Sequence, residues 1–248
     1  QLIAPTPDKL EQIMALFIEY GYREADINLG CPFPMLVKRH NGAGMLPHPK
    51  EVEALLKTLV EKFPEIRFSV KLRLGWEHAD ECLALLPLLN ELPLSHVTLH
   101  PRLGIQQYKV LLLDGFEAFY KGCDKPLLYN GDIHTPDDIE SIVARFPRLV
   151  GVVIGRGLLA NPALAWEYQQ GHPLSSDEMA KKVRLLHNEV FNAYKERLQG
   201  GDLQLLTKMK SFWEYLLPNA DRKAKKIIHK TTKLSNYEVA VARLFAEL

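Results

Sequence analysis

The residues best able to do chemistry crowd one short segment, Asp26-Ile27-Asn28-Leu29-Gly30-Cys31-Pro32. An apolar run ends at Asn28, Gly30 supplies backbone freedom, and Pro32 keeps the residue before it extended. Cys31 is thereby expected at a strand end. Its thiol, with an unperturbed pKa of about 8.5, suits a nucleophile or a proton donor. Cys82 and Cys123 read instead as small buried hydrophobes, the usual state of a lone cysteine. Further along come Lys71 near the end of an apolar run, His100 and Arg102 in a His-Pro-Arg turn, Asn130-Gly131-Asp132, and Gly155-Arg156-Gly157. Gly131, Gly155 and Gly157 let backbone N–H groups approach a phosphate closely, and Arg156 adds a charge-assisted contact. The glycine-rich loop His40-Asn41-Gly42-Ala43-Gly44, beside Lys38 and Arg39, can cradle an anion or admit a large substrate; such loops are also often plain turns.

These residues need elements to hold them. Short apolar runs at 1–4, 25–29, 68–72, 96–100, 127–130 and 151–154 alternate with amphipathic stretches at 8–20, 50–62, 78–90 and 135–146. Asp8 to Glu11 and Thr135 to Asp138 have the form of helix starts, an oxygen cap with an acid three residues on. The alternation predicts a parallel sheet covered by helices. Polar residues gather at the carboxyl ends of the runs, which form the active face of a (β/α)₈ barrel. A doubly wound sheet also binds ligands at strand ends, but no Gly-x-Gly-x-x-Gly follows a first strand. The fold class expected is therefore α/β, a TIM-type barrel with six of its eight strands visible. Gln1 falls inside a strand and no initiator Met is present, so two further strand–helix units are expected before it. From residue 177 strand signals cease. Helical periodicity fills 177–198, 203–217, 220–230 and 237–247, giving an expected division into a barrel portion, 1–172, and an all-helical portion, 173–248.

Composition bounds the remaining choices. The 248 residues are 47% hydrophobic and 25% charged, which excludes collagen-like and disordered classes. No run approaches the ~18 apolar residues of a membrane span. Three widely spaced cysteines make neither a disulfide framework nor a zinc motif. No metal site is expected, and a reducing, cytoplasmic compartment is the simplest reading. Charge is uneven: residues 173–248 carry 14 Lys or Arg against 9 Asp or Glu, while 1–172 carry 17 against 21. A basic end suits a polyanionic partner, or is a solvated lysine-rich helical face.

Taken in order, these motifs resemble those of the tRNA-dihydrouridine synthase family. The resemblance rests on Asn28-Leu29-Gly30-Cys31-Pro32 with Gly42-Ala43-Gly44, then the Val-Lys-x-Arg strand (Val70 to Arg73), His100-Pro101-Arg102, Asn130-Gly131-Asp132-Ile133 and Ile154-Gly155-Arg156-Gly157. It runs motif by motif to about residue 170, beyond which the helical end matches in kind and position. It implies an FMN-dependent barrel that reduces the C5–C6 bond of a tRNA uridine with NADPH as electron source, and a helical domain that holds tRNA. By position, it implies that Gln1, Lys71 and His100 contact the flavin ring. Asn130, Gly131, Asp132, Gly155 and Arg156 would hold its ribityl chain and phosphate. Asn28, Lys38, Arg39 and Arg102 would contact substrate, and Cys31 would be the general acid. Lys181, Lys182, Arg184, Arg222, Lys223, Lys225, Lys226 and Lys230 would meet tRNA.

Three departures stand out. Phe33 and Pro34 follow Cys-Pro where many members carry smaller or polar residues. Pro101 replaces a common glycine, and the family's first flavin-contacting loop has no counterpart in this sequence. Two other readings remain open at this stage. One is an FMN barrel reducing a free pyrimidine or an enone; the other is a non-catalytic tRNA-binding protein.

Overall fold

The computed structural model describes residues 1–3, 7–106 and 108–247, with the backbone alone at Pro7 and Asp8. The chain divides into two compact units, Gln1–Gly131 with Ser141–Val153, and Asp132–Glu140 with Ile154–Leu248.

The first unit is built on strands β1 (Glu24–Leu29), β2 (Arg67–Gly75), β3 (Val97–Leu103), β4 (Leu127–Tyr129) and β5 (Leu149–Val152). They pair in parallel in the order β1-β2-β3-β4-β5. Leu2 adds an isolated parallel bridge to Ile27. Among the described residues strand order never reverses and shows no switch point of the doubly wound kind. A sequential, all-parallel order is that of a (β/α)₈ barrel wall, and six consecutive positions of it are present. The first of these is a single bridge rather than the expected strand; Ala4 lies outside the described residues.

Between the strands run α1 (Pro7–Glu19), the short α2 (Pro34–Val37), α3 (Pro49–Lys62), α4 (Leu86–Glu91), α5 (Leu113–Gly122) and α6 (Pro136–Arg145). The Asp8 side chain, expected as a cap of α1, lies outside the described residues. At α6 the expected box is present: Asp138 N–H donates to the Thr135 hydroxyl at 3.2 Å, and the Asp138 carboxylate accepts from Thr135 N–H at 2.9 Å. The expected helix over 78–90 shrinks to a 3₁₀ turn and α4. The Glu81 carboxylate gathers the backbone N–H groups of Trp76, Glu77 and His78 at 2.8–3.1 Å, which folds that stretch into a turn instead. Helix α5 was not expected. Its Phe116 and Phe119 are fully buried, and Phe116 meets Tyr129 and Phe146 edge-on at 5.1 and 4.9 Å between ring centroids. Each such side chain contributes about 1.5–3 kcal/mol by leaving water.

The second unit holds α7 (Arg156–Ala160), α8 (Leu164–Gln170), α9 (Ser176–Arg197), α10 (Gly201–Phe212), α11 (Arg222–Lys230) and α12 (Leu234–Ala246). Helix α9 starts at a full capping box between Ser175 and Glu178. Gly157 is required for close packing, since a Cβ there would lie 2.0 Å from the Ile133 carbonyl oxygen. Helix α10 stops short of the expected Leu217, which has φ +48 and precedes Pro218. Apolar faces of α9 to α12 enclose Trp213, Tyr237, Ile228 and Met209. At their centre His187 Nε2 and Trp213 Nε1 both meet the Tyr237 hydroxyl, at 2.7 and 2.9 Å. Among the described residues no helix is long and apolar enough to cross a membrane.

Candidate active site

Register decides which side chains share a face. Asn28 pairs with Lys71, Lys71 with Thr98, and Arg73 with His100. Neighbouring partners in a sheet point the same way, and alternate residues along a strand point oppositely. Asp26, Asn28, Ser69, Lys71, Arg73, Thr98 and His100 therefore line one face. Ile27, Val70, Leu72, Leu99 and Tyr129 occupy the other. The polar face is largely closed to water: Ser69, Arg73, Thr98 and His100 are all buried.

These groups are tied to one another. Asp26 accepts from the Ser69 hydroxyl at 2.8 Å and from the Gln1 amide at 2.5 Å. Gln1 in turn accepts from the Asn28 side-chain amide at 3.0 Å, and the Asn28 side-chain oxygen Oδ1 accepts from Gly30 N–H at 2.9 Å. That last bond turns the chain into Cys31. The Arg73 guanidinium crosses behind it, donating to the Gly30 carbonyl at 2.9 Å and the Leu103 carbonyl at 3.1 Å. Ala43 N–H donates to the Cys31 carbonyl at 2.9 Å, and Gly42, with φ +59, leaves no room for a side chain against Cys31. The thiol is half-buried and free. Cys82 and Cys123 are buried as expected, the Cys82 thiol pushed up to about 12 by loss of water.

Lys71 sits half-buried in the row of Asn28. Burial depresses its pKa, the neighbouring Arg73 charge adds to that, and Asp26 and Cys31 oppose it. No hydrogen bond or ion pair engages its ammonium among the described residues. His100 Nε2 lies 3.2 Å from an Arg102 nitrogen, and Tyr108 stands by both Arg73 and Arg102, its ring centroid 5.6 and 5.9 Å from the guanidinium carbons. Arg102 is 2% exposed and so belongs to this buried cluster, whereas Lys38 and Arg39 are exposed beside α2. Asn130 donates its amide to the Val153 carbonyl at 2.7 Å, locking the end of β4 to the chain leaving β5. Gly131 follows, buried.

Sequence reading did not single out Asp26, Ser69 or Tyr108 as site residues. The signal for the first two was present: they alternate with Asn28 and Lys71 on neighbouring strands. Tyr108 gave none, being placed by the loop after β3.

In the second unit, Arg156 donates to the Asp132 carboxylate at 2.9 Å, and Gly155 is exposed, with nothing within 4 Å of the position a Cβ would take. Of the basic residues expected to meet tRNA, Lys181, Lys182, Arg222, Lys223, Lys226 and Lys230 are exposed. Arg184 lies over the Phe245 ring at 5.1 Å. Lys225 is different: its ammonium donates to the Leu216 carbonyl at 2.8 Å, and burial depresses its pKa. No metal ligands were expected, yet His40, His48 and Glu51 converge beside α3.

Comparison with known proteins bears on this arrangement. The model of the family described as dihydrouridine synthase matches residues 1–245. The chain is similar to a tRNA-dihydrouridine synthase B of Pasteurella multocida, 28% identical over 171 residues, covering 66% of this chain and 49% of that one. It is likewise similar to a tRNA-dihydrouridine(16) synthase of Vibrio parahaemolyticus, 28% identical over 141 residues, covering 56% of this chain and 44% of that one. The chain thus spans about half the length of the relatives it matches. A solved morphinone reductase is similar at 17% identity and a TM-score of 0.48, over 70% of this chain and 52% of that one, a likeness that bears on neither fold detail nor function. Asn28 and Cys31 stand at the end of β1, but Lys71 and His100, expected at strand ends, lie midway along β2 and β3, which run on to Gly75 and Leu103. With a match across nearly every residue, the chain belongs to the dihydrouridine synthase family.

Proposed function

We propose that this chain carries the reducing centre of a tRNA-dihydrouridine synthase, working in a cytoplasmic setting on one uridine of tRNA with FMN as cofactor and NADPH as reductant. The observation that carries this reading is Lys71. A half-buried ammonium without a hydrogen-bond partner among the described residues, on a face with Gln1, Asn28 and His100, fits the electron-rich edge of a flavin ring. Bound FMN, recharged by NADPH, supplies the hydride that goes to C6 of uracil.

The chain's own residues do the rest. Lys71, Gln1 and His100 orient the ring. For the ribityl chain and phosphate the residues are Asn130, Gly131, Asp132, Gly155 and Arg156. Asn28 meets the uracil, with Lys38, Arg39 and Arg102 as further substrate contacts. Cys31 gives its proton to C5, so hydride and proton together saturate the C5–C6 bond and leave a thiolate that solvent reprotonates. The loop on Cys31 fixes that acid at the strand end, as positioned proton transfer requires. A tRNA base is stacked or paired and must be drawn out to reach such a site. The barrel portion, 1–172, does this chemistry, and the basic face of 173–248 holds the tRNA by its phosphates.

The test is direct. Purified protein is expected to be yellow, to release FMN on denaturation, and to form dihydrouridine in unmodified tRNA with NADPH. Colourless protein that takes up no added FMN, or that binds FMN and leaves tRNA unreduced, overturns the reading.

A further inference from the structure

Away from the polar sheet face, three side chains with metal-binding atoms meet at the start of α3. His40 Nδ1 lies 3.2 and 3.3 Å from the two Glu51 carboxylate oxygens. The His48 ring stacks on that of His40, centroids 4.1 Å apart and planes within 10°. One ligand atom from each residue lies within 4.8 Å of the others. We propose that His40, His48 and Glu51 form a binding site for a borderline divalent ion of the zinc class, with water in the remaining position.

Three features support this. The first is the donor set. Two imidazoles and a carboxylate suit zinc, cobalt or nickel, whereas magnesium and calcium prefer all-oxygen cages. The second is spacing. Zinc bonds of about 2.0–2.2 Å in a tetrahedron put ligand atoms about 3.3–3.5 Å apart. His40 and Glu51 already stand at that separation, and the His48 ring, stacked on that of His40 with a ligand atom within 4.8 Å, joins them by tilting out of the stack. The third is a fixed frame. His40 N–H donates to the Val37 carbonyl at 3.0 Å, His48 N–H to the Met45 carbonyl at 2.9 Å, and Glu51 N–H to the His48 carbonyl at 2.9 Å. The side chains of His40 and Glu51 are half-exposed, at 50% and 49%, so an ion reaches them from solvent.

The site has a place in the local architecture. His40 and His48 bracket the buried turn Gly42–Met45, and Gly42 and Ala43 are the residues that hold Cys31. An ion there fastens both ends of this segment to α3 without touching the sheet face. The rival account is an ordinary hydrogen bond from His40 to Glu51 with a second ring packed on it, which needs no ion.

Cobalt titration of the metal-free chain, followed by visible ligand-field absorption and zinc displacement, decides between them. Cys31→Ser serves as the background, to remove thiol ligation. One equivalent of Co²⁺ is expected, displaced by Zn²⁺. His48→Ala, and His40→Asn, which keeps a residue tolerant of the φ of +52 found there, are each expected to weaken binding more than tenfold. His78→Ala is expected to leave it unchanged. Zinc is also expected to raise the unfolding midpoint of the parent and not of the double variant. Absence of cobalt uptake, or undiminished affinity in the His40→Asn, His48→Ala double variant while its circular dichroism matches the parent, overturns the proposal.

Discussion

Gly42 lies against the backbone of Cys31: a side-chain carbon on it would stand 2.7 Å from the Cys31 carbonyl oxygen, at a residue whose φ is +59. Gly42→Ala is therefore expected to cost at least the roughly 1–2 kcal/mol of a left-handed L-residue, with the clash added. It is also expected to lower dihydrouridine formation by displacing the thiol. Chemical denaturation and a turnover assay measure the two effects; a variant as stable and as active as the parent would show that the loop does not position Cys31.

Cys31→Ala is expected to keep FMN and tRNA binding and to lose about 10²–10⁴-fold in dihydrouridine formation, the usual worth of a positioned acid. Cys82→Ala is expected to retain activity, since that thiol is enclosed and held protonated far above neutrality. Near-parental turnover by Cys31→Ala on unmodified tRNA removes the acid assignment.

Lys71→Met and Arg156→Ala are expected to weaken flavin binding by different routes. Loss of Lys71 weakens FMN and riboflavin alike and slows flavin reduction by NADPH. Loss of Arg156 weakens FMN and hardly touches riboflavin, because the guanidinium acts on the phosphate that riboflavin lacks. Flavin fluorescence titrations with both ligands separate the routes; equal losses for Arg156→Ala would assign the phosphate to other residues.

For tRNA, Lys223→Glu with Lys226→Glu is expected to reduce affinity and to flatten its salt dependence by roughly 0.7–0.9 in log–log slope for each phosphate left unneutralised. Lys225→Glu is expected instead to lower thermal stability, because its ammonium secures the Leu216 carbonyl. Titrations at two salt concentrations, beside a melting curve, check both. Unchanged tRNA affinity for the double variant would make those lysines a solvated face only.

Burial depresses the pKa of His187, the Asn188 side chain partly opposing it. Its folded pKa thus lies below the unfolded value of about 6.5, and the unfolded state takes up the proton first. Stability of the helical unit is expected to be full above that value and to decline as pH falls through it, until the folded pKa is reached. Replacement by Phe is expected to remove this part of the pH dependence. Melting between neutral and mildly acidic pH compares the two; identical slopes would show that the imidazole does not resist protonation.

The parts of the fold that could be read ahead were those with a local cause. Alternation of apolar runs and amphipathic stretches marked β1 to β5, and Thr135 with Asp138 marked the start of α6. The turn at 76–82 was hidden because one carboxylate, Glu81, outweighs the helical pattern around it, a competition that spacing does not record. Helix α5 was hidden behind its own aromatics, whose burial depends on Tyr129 and Phe146 from distant parts of the chain. In the site, Cys31 was legible from its place just past β1, whereas the end expected near Lys71 was hidden because β2 continues to Gly75. Asp26 and Ser69 needed the register of β1 on β2, and Lys225 showed its structural use only once the Leu216 carbonyl lay beside it.

The two groups around the Tyr237 hydroxyl set a direction of proton donation. An indole N–H only donates, so the Tyr237 oxygen accepts from Trp213, and its single hydrogen points at His187 Nε2. That nitrogen must then be the bare one. His187 is accordingly the Nδ1–H tautomer, donating onward to the Asn188 side-chain oxygen at 3.1 Å. One tryptophan thus dictates the imidazole's proton two bonds away, and nitrogen chemical shifts of His187 would read it out.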